Sequence, residues 1–394
     1  MAFPSYQYFP RLYDKISAYR EKYHDNGKKV AFKLAYWNLK FLISTLGEKT
    51  GVCKNQRFTD NLQHISIKIA GGIGDHIINA KYLEALAKYL GKDVVFDILA
   101  EPEDIDFLKV IYDDKSYIKQ IIPNDCQTEY DLALYVVRFP KVLSYHKERL
   151  DAHTLKYVEQ LKKFESEHYL LLENDFLGRC YSLLKGRKRE NQADIENILQ
   201  IAKQKFVLKV PENANEILQK FELKKEGFIT LQTGSGRHFS QIMSEVRQWP
   251  AEYYAQLAIM LKRKYPRYKI VQLGDGEQQK IANIDLDLRG KTDFAELFVL
   301  LKEAKMHIAQ ESGMVILRHF LQGGVSTVLF GPTDINFFGF AENLNLSANL
   351  CSQPCEWITQ KWMEKCVKTG NEAECMRLLN PEKVFNTICE RMAL

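Results

Sequence analysis

The chain has 394 residues, 46% of them hydrophobic and 27% charged, with a formal net charge of +5. That is the composition of an ordinary soluble globular protein, and at roughly 100–200 residues per domain it predicts two domains. No run reaches the ~18 consecutive apolar residues of a membrane-spanning helix. The best candidate, Ala31 to Leu46, is broken by Lys33, Asn38 and Lys40. Residues Met1 to Arg20 lack the apolar core of a signal peptide, so a cytoplasmic location is expected.

Residues Met1 to Asp60 carry 11 Lys/Arg against 5 Asp/Glu, a local charge of +6, which leaves the remainder close to neutral. This stretch is aromatic and helical in pattern: Tyr6, Tyr8, Phe9 and Tyr13, then Phe32, Ala35, Tyr36, Leu39 and Ile43 at helical spacing. Two readings stay open. The segment packs on the globular body as a helical N-terminal extension, or its Tyr/Trp/Lys mixture lies on an acidic membrane surface. A nucleic-acid partner is not expected.

His64 to Ile69 alternates apolar and polar residues as a strand does, and breaks into Gly71-Gly72-Ile73-Gly74-Asp75-His76. A helix over Ile77 to Gly91 follows, with Leu83, Leu86, Ala87 and Leu90 inward and Gly91 as C-cap. Val94 to Leu99, Tyr117 to Ile122 and Asp131 to Val137 read as further strands. Phe139 to Val207 reads as mostly helical, with a basic run at Lys185 to Arg189. Lys209 to Leu223 continues as helix, and Lys224 to Gly227 as linker. A second series then opens at Phe228 to Leu231 and Lys269 to Leu273, with helices over Ala251 to Tyr265 and Asp293 to Ala304. Strands alternating with helices predict an α/β fold of doubly wound parallel sheets. The expected division is residues 1–60, 61–226 and 227–394. Past Asp334 the chain reads as irregular and cysteine-bearing, closing in a helix over Pro381 to Met392.

Strands that end in glycine and small polar residues mark the ligand edge of such sheets, where backbone N–H groups suit phosphate. Gly71 to Asp75 has neither the spacing of the dinucleotide fingerprint nor a P-loop lysine, which argues against a dehydrogenase or an ATPase. Asp75 reads equally as an N-cap and as a general base able to take a proton from a sugar hydroxyl. His76 is the rival base.

In order and spacing, several segments resemble glycosyltransferase family nine, the ADP-heptose:lipopolysaccharide heptosyltransferases. They are Ile69 to Leu83 around Gly74-Asp75, Gln232-Thr233-Gly234-Ser235, Arg247-Gln248-Trp249-Pro250, Leu273-Gly274, Leu288 to Thr292, Glu311-Ser312-Gly313 and Phe330 to Asp334. The resemblance spans about Ile65 to Val384. It implies the GT-B architecture, two Rossmann-like domains facing a cleft, with inverting transfer and no metal cofactor required for catalysis. It implies Asp75 as base, with His76 kept as the rival. The donor nucleotide sugar would be held by Gly72, Gly74, Thr233, Gly234, Ser235, Gly236, Arg247, Gly274, Glu277, Glu311, Ser312 and Gly313. The sugar would be heptose from ADP-heptose and the acceptor a glycan, glycolipid or protein, reached at the cytoplasmic face of the inner membrane. Arg247 stands where the family has lysine, which keeps charge but changes geometry; a surface ion pair is its other reading. Glu311 replaces an aspartate, and Ile316 stands where the family has histidine, with Arg318 and His319 following.

Cys351, Cys355, Cys366 and Cys375 fall in one irregular segment. They read as a structural zinc or iron site, or as a reduced packed loop, with disulfides least expected in the cytoplasm.

Overall fold

In a computed structural model, residues 58, 60–124, 128–173, 175–234, 246–358, 360–363, 365–370 and 373–392 are described. Contacts divide the chain into two compact units, one of Met1–Thr59 with Gln127–Glu129, the other of Asp60–Cys126 with Tyr130–Leu394. Everything below concerns the second unit. The expected helical extension over 1–60 lies outside the described residues apart from Phe58 and Asp60, as do Ser235 and Gly236.

The second unit holds two sheets. The first contains β1 (Gln63–Ile69), β2 (Val94–Ala100), β3 (Ile118–Pro123), β4 (Leu132–Val136) and β5 (Pro140–Tyr145) in the order β3-β2-β1-β4-β5. The helices α1 (Ile73–Leu90) and α2 (Ile105–Tyr112) connect its leading strands. Gly91 closes α1 at φ 98°, with its N–H on the Ala87 carbonyl, a position glycine takes without a Cβ penalty. The helices α3 (Ala152–Glu173), α4 (Asp175–Leu184) and α5 (Ala214–Lys220) lead on.

The second sheet contains β6 (Phe228–Gln232), β7 (Lys269–Leu273), β8 (Leu286–Asp287), β9 (Met306–Gln310), β10 (Ser326–Phe330) and β11 (Leu344–Ser347). Its order is β11-β10-β9-β6-β7-β8, and every pairing is parallel. The central strands β6, β9 and β10 are buried along their whole length, as strands covered on both faces must be. Its helices are α6 (Ala251–Lys264), α7 (Phe294–Glu303), α8 (Gly313–Phe320), α9 (Ile335–Phe338), α10 (Glu374–Leu378) and α11 (Pro381–Met392).

Three expectations are corrected. Pro140–Tyr145, read as the start of a helical region, is an antiparallel edge strand on β4, so the first sheet is not wholly parallel. The helix expected over Lys209 to Leu223 covers only Ala214–Lys220. The tail read as irregular past Asp334 contributes the edge strand β11.

The strand order reverses between β1 and β4 in one sheet and between β6 and β9 in the other. At such switch points the connecting helices leave for opposite faces, and a crevice opens at the carboxyl ends of the strands. The two sheets are also fastened together. One apolar core runs through both, and Phe107 of α2 meets Phe294 and Phe298 of α7, with ring centroids 4.9 and 6.1 Å apart.

Candidate active site

The switch point of the first sheet delivers Asp75. The chain leaves β1 through Gly71 at φ 127°, where an added Cβ would lie 2.6 Å from the Asp75 carboxylate. Glycine is required there because the loop folds back over its own aspartate. Asp75 is the third residue of α1, and its Oδ2 accepts the Gly72 N–H at 3.1 Å. Its Oδ1 accepts a short hydrogen bond from Nη2 of Arg189. Burial alone would raise this carboxyl. The guanidiniums of Arg189 and Arg138 and the Gly72 amide outweigh it and hold Asp75 below the usual carboxylate value. The side chain keeps 35% of its surface open, enough for a substrate hydroxyl to reach it. Asp75 is therefore a capping residue and an accessible carboxylate at once.

His76 does not share this position. One residue further round the helix, it is fully buried, with Nε2 3.0 Å from an Asp104 carboxylate oxygen and its ring near Phe107. The structure separates it from Asp75, which corrects its expected place beside the base.

The second sheet answers with two strand ends across its own switch point. Gln232 closes β6 and Gln310 closes β9, and both are buried. The Gln310 amide donates to the Gly234 carbonyl and accepts from the Tyr254 hydroxyl at 2.9 Å. The Ser312 hydroxyl donates to Gln232 Oε1 at 2.9 Å. Thr233 is tied inward: its hydroxyl donates to the Gln279 carbonyl at 2.8 Å and accepts from the Gln272 amide at 3.2 Å. These bonds satisfy buried polar groups and fix both turns before any ligand arrives. Arg247 reaches the same place. Its guanidinium donates to the Glu311 carbonyl at 2.8 Å and pairs with the Glu311 carboxylate.

Two glycines bring the switch points together. A Cβ on Gly313, first residue of α8, would stand 2.8 Å from the backbone nitrogen of Gly74 in α1, and one on Gly74 would meet Ile316 at 2.7 Å. Ile316, in the place of the family's histidine, packs on this contact. The N-terminal turns of α1 and α8, whose dipoles favour anions, thus touch backbone to backbone. Arg179 of α4 is buried, 5.2 Å from the Trp362 ring. Arg247 is bonded to Glu311, two residues before Gly313, and Asp75 directly follows Gly74. Asp75 and Arg247 therefore belong to one neighbourhood.

A loop after β10 forms a further wall. The Asp334 N–H donates to Glu356 Oε1, and Trp357 Nε1 donates to Asp334 Oδ2 at 2.8 Å. Glu356 is fully buried, which pushes its carboxyl up to about 8 despite the nearby Arg179 guanidinium.

The turn after β7 is packed over by Gln278. Gly274 takes φ 138°, and a Cβ there would meet the Gln278 side chain at 2.1 Å. Gln278 also packs on Gly234, 3.2 Å from its Cβ position, and buries Oε1 without a partner. Glu277 points to solvent, so Gln278, not Glu277, is the side chain aimed at the glycine turns.

No family model matches the sequence, and no curated protein matches it. Solved structures do. The crystal structure of the glycosyl transferase family 9 from Veillonella parvula aligns with a TM-score of 0.54 at 14% identity, covering 85% of this chain and 98% of that one. The dodecameric iron-containing heptosyltransferase TibC from enterotoxigenic E. coli, in complex with ADP-D-beta-D-heptose, aligns with a TM-score of 0.53 at 14% identity, covering 84% and 76%. The fold is the one these structures share, a GT-B-type arrangement of two α/β sheets.

Cys355 and Cys366 are buried, Cys375 is half-buried, and Cys351 is exposed; all four are free thiols. Burial and the neighbouring thiols push Cys375 up to about 12. Cys366 goes the other way: burial would raise it, but the Thr369 hydroxyl and the amides of Thr369, Lys368 and Glu374 hold it below the usual thiol value. Among the described residues no group of three or more His, Cys, Asp or Glu side chains is arranged to hold a metal ion.

Arg189, Arg179, Arg138, Gln278 and Glu356 escaped the sequence reading as site residues. Only the basic run at Lys185 to Arg189 signalled one of them.

Proposed function

We propose that the chain is an inverting glycosyltransferase that moves a sugar from a nucleotide diphosphate sugar onto an acceptor hydroxyl. The observation that carries this is the convergence of Asp75 and Arg247 on the Gly74–Gly313 contact: Asp75 follows Gly74, and Arg247 is bonded to Glu311, two residues before Gly313. Such transfer needs a neutralised leaving group, a base, and both held in line. The turn at Thr233–Gly234, the N-terminus of α8 and Arg247 suit the pyrophosphate. In the apo chain Arg247 rests on Glu311, so it must be shared with or released to the phosphates. The Asp75 carboxylate takes the acceptor proton as the acceptor oxygen bonds to the anomeric carbon and the carbon–phosphate-oxygen bond breaks. Nucleotide diphosphate leaves from the opposite side, which inverts the anomeric centre.

ADP-heptose, present in the TibC complex, is the donor we favour, with a bacterial surface glycan (lipopolysaccharide core or capsule) as acceptor. The chain would work in the cytoplasm, touching the inner membrane peripherally through the basic stretch 1–60. Another nucleotide sugar, or a protein acceptor as in protein glycosylation, fits the same residues. One observation favours a second reading, a nucleotide-sugar-binding protein without turnover: Asp75 is already paired with Arg189, and a carboxyl held low is a weak base. The test is the purified chain against ADP-, UDP- and GDP-sugars. Thermal stabilisation by ADP but not UDP or GDP is expected, as for any ligand that binds the native state alone, together with sugar transfer that Asp75→Asn lowers by ~10²–10⁴. Stabilisation with no turnover on any acceptor supports the second reading. No response to any nucleotide overturns both.

A further inference from the structure

Arg189 belongs to no motif that led to the site, yet it is the best-anchored charge in it. It opens a short turn, Arg189–Asn191, reached 114 positions after Asp75. Three consecutive residues of this strap are each fastened to something different. The Lys188 N–H is capped by Asn191 Oδ1 at 2.8 Å, and its ammonium donates to the Gly339 carbonyl beside α9 at 3.4 Å. Glu190 takes an ion pair from Lys81 of α1 at 2.7 Å, and Lys81 is itself buried. Arg189, between them, is 8% exposed and also donates to Gln192 Oε1 at 3.3 Å. A guanidinium so enclosed has little rotamer freedom left to lose.

Resting on the function proposed above, we infer that Arg189 is a positioning residue for the transfer, a clamp that fixes the direction and the charge of the Asp75 carboxylate. Asp75 is held at both oxygens, Oδ1 by Arg189 and Oδ2 by the Gly72 amide, so each keeps one lone-pair direction for a substrate hydroxyl. A surface ion pair would fix neither, because two mobile side chains share it with water. The other charged group that bears on Asp75 is Arg138 beyond β4; across from α1, the uncharged Gly313 and Ile316 of α8 lie against its neighbour Gly74, and His76 faces Asp104 instead. The clamp keeps the carboxylate ready at low pH at the cost of basicity, so its signature is a pH profile.

The experiment measures kcat and KM across pH for wild type, Arg189→Lys, Arg189→Gln and Arg189→Met, and for Asp75→Asn with and without Arg189→Met, each checked by thermal melting. An adjacent opposite charge lowers a carboxyl by roughly 1–3 pH units. The acid limb of the profile therefore moves up by about that amount in the neutral variants and stays near wild type in Arg189→Lys. Loss of orientation costs kcat on the order of 10²-fold, while KM for the nucleotide sugar holds. In the Asp75→Asn background, Arg189→Met has no further effect, as expected when one residue acts through the other. An acid limb that stays put in both neutral variants, or an Arg189→Met loss that is as large without Asp75 as with it, overturns the inference and leaves the function standing. A wild-type chain that transfers sugar from no donor overturns both.

Discussion

At the residue scale the site is a set of charges held in pairs before any ligand is present. Asp75 rests on Arg189 and Arg247 rests on Glu311. Removing one member of each pair should separate chemistry from binding. Asp75→Asn should lower turnover by ~10²–10⁴, the usual worth of a general base, while ADP binding, followed by calorimetry, stays within a few-fold of wild type. Arg247→Ala should weaken nucleotide diphosphate binding by at least about tenfold, since it removes a charge-assisted contact and leaves Glu311 unpaired. Unchanged affinity in that titration would take Arg247 out of the donor site. Asp75 could be read from sequence because its neighbours are diagnostic: a strand, then glycines, then an acid at a helix start. Arg189 could not, because an ion pair across more than a hundred residues leaves no local pattern. The register between Glu277 and Gln278 was equally hidden, since it depends on which side chain the turn folds over Gly274.

At the element scale, α1 and α8 are the pieces that matter, and each carries a glycine in its first turn against the other. Gly313→Ala would drive a methyl group to 2.8 Å from the Gly74 backbone nitrogen. Backbone cannot swing aside as a side chain can, so the expected cost is about 1–3 kcal/mol of stability, read as a lower melting temperature. Nucleotide affinity should fall with it. A Gly313→Ala chain that melts and binds as wild type does would show that the contact is looser than drawn. Long periodic helices such as α1, α6 and α11 were legible from spacing alone. The misread strands share one physical trait: β5 and β11 are short edge strands, as is β8, which carried no signal. Six residues or fewer, half solvated, carry too little alternation to outvote their surroundings, and β5 followed by the long helix α3 was read with it.

At the scale of the whole molecule, both sheets share one core, so their stability is joint. His307 sits inside the second sheet, fully buried, with Nδ1 3.0 Å from the Thr230 hydroxyl and Nε2 without a partner. Burial, then the Arg318 guanidinium, lowers it to about 3. The unfolded chain would take up this proton near pH ~6.5, whereas the folded chain refuses it. Stability from this group is thus complete above that value and is lost as pH falls towards 3. His307→Leu should flatten the fall in melting temperature between neutral pH and pH 4. An unchanged slope would assign acid sensitivity elsewhere. A chain beginning at Asp60 should still bind nucleotide, because every donor contact named above lies beyond that point. Failure to bind would make residues 1–59 part of the fold. The division into two α/β halves was visible in the recurrence of strand, glycine and helix. The strand order was not, because pairing between distant strands is set by packing that no single segment records.

The backbone contact between Gly74 and Gly313 has one mechanical consequence. The two α-carbons meet bare, with the Ile73 and Ile316 side chains beside them, and the contact lies within a few bonds of the proposed base. If the two halves rock on it, the outer rim of the crevice opens and shuts through a wide arc while Asp75 itself hardly travels. Substrates could then enter and leave without the reacting groups having to be aligned afresh at each turnover.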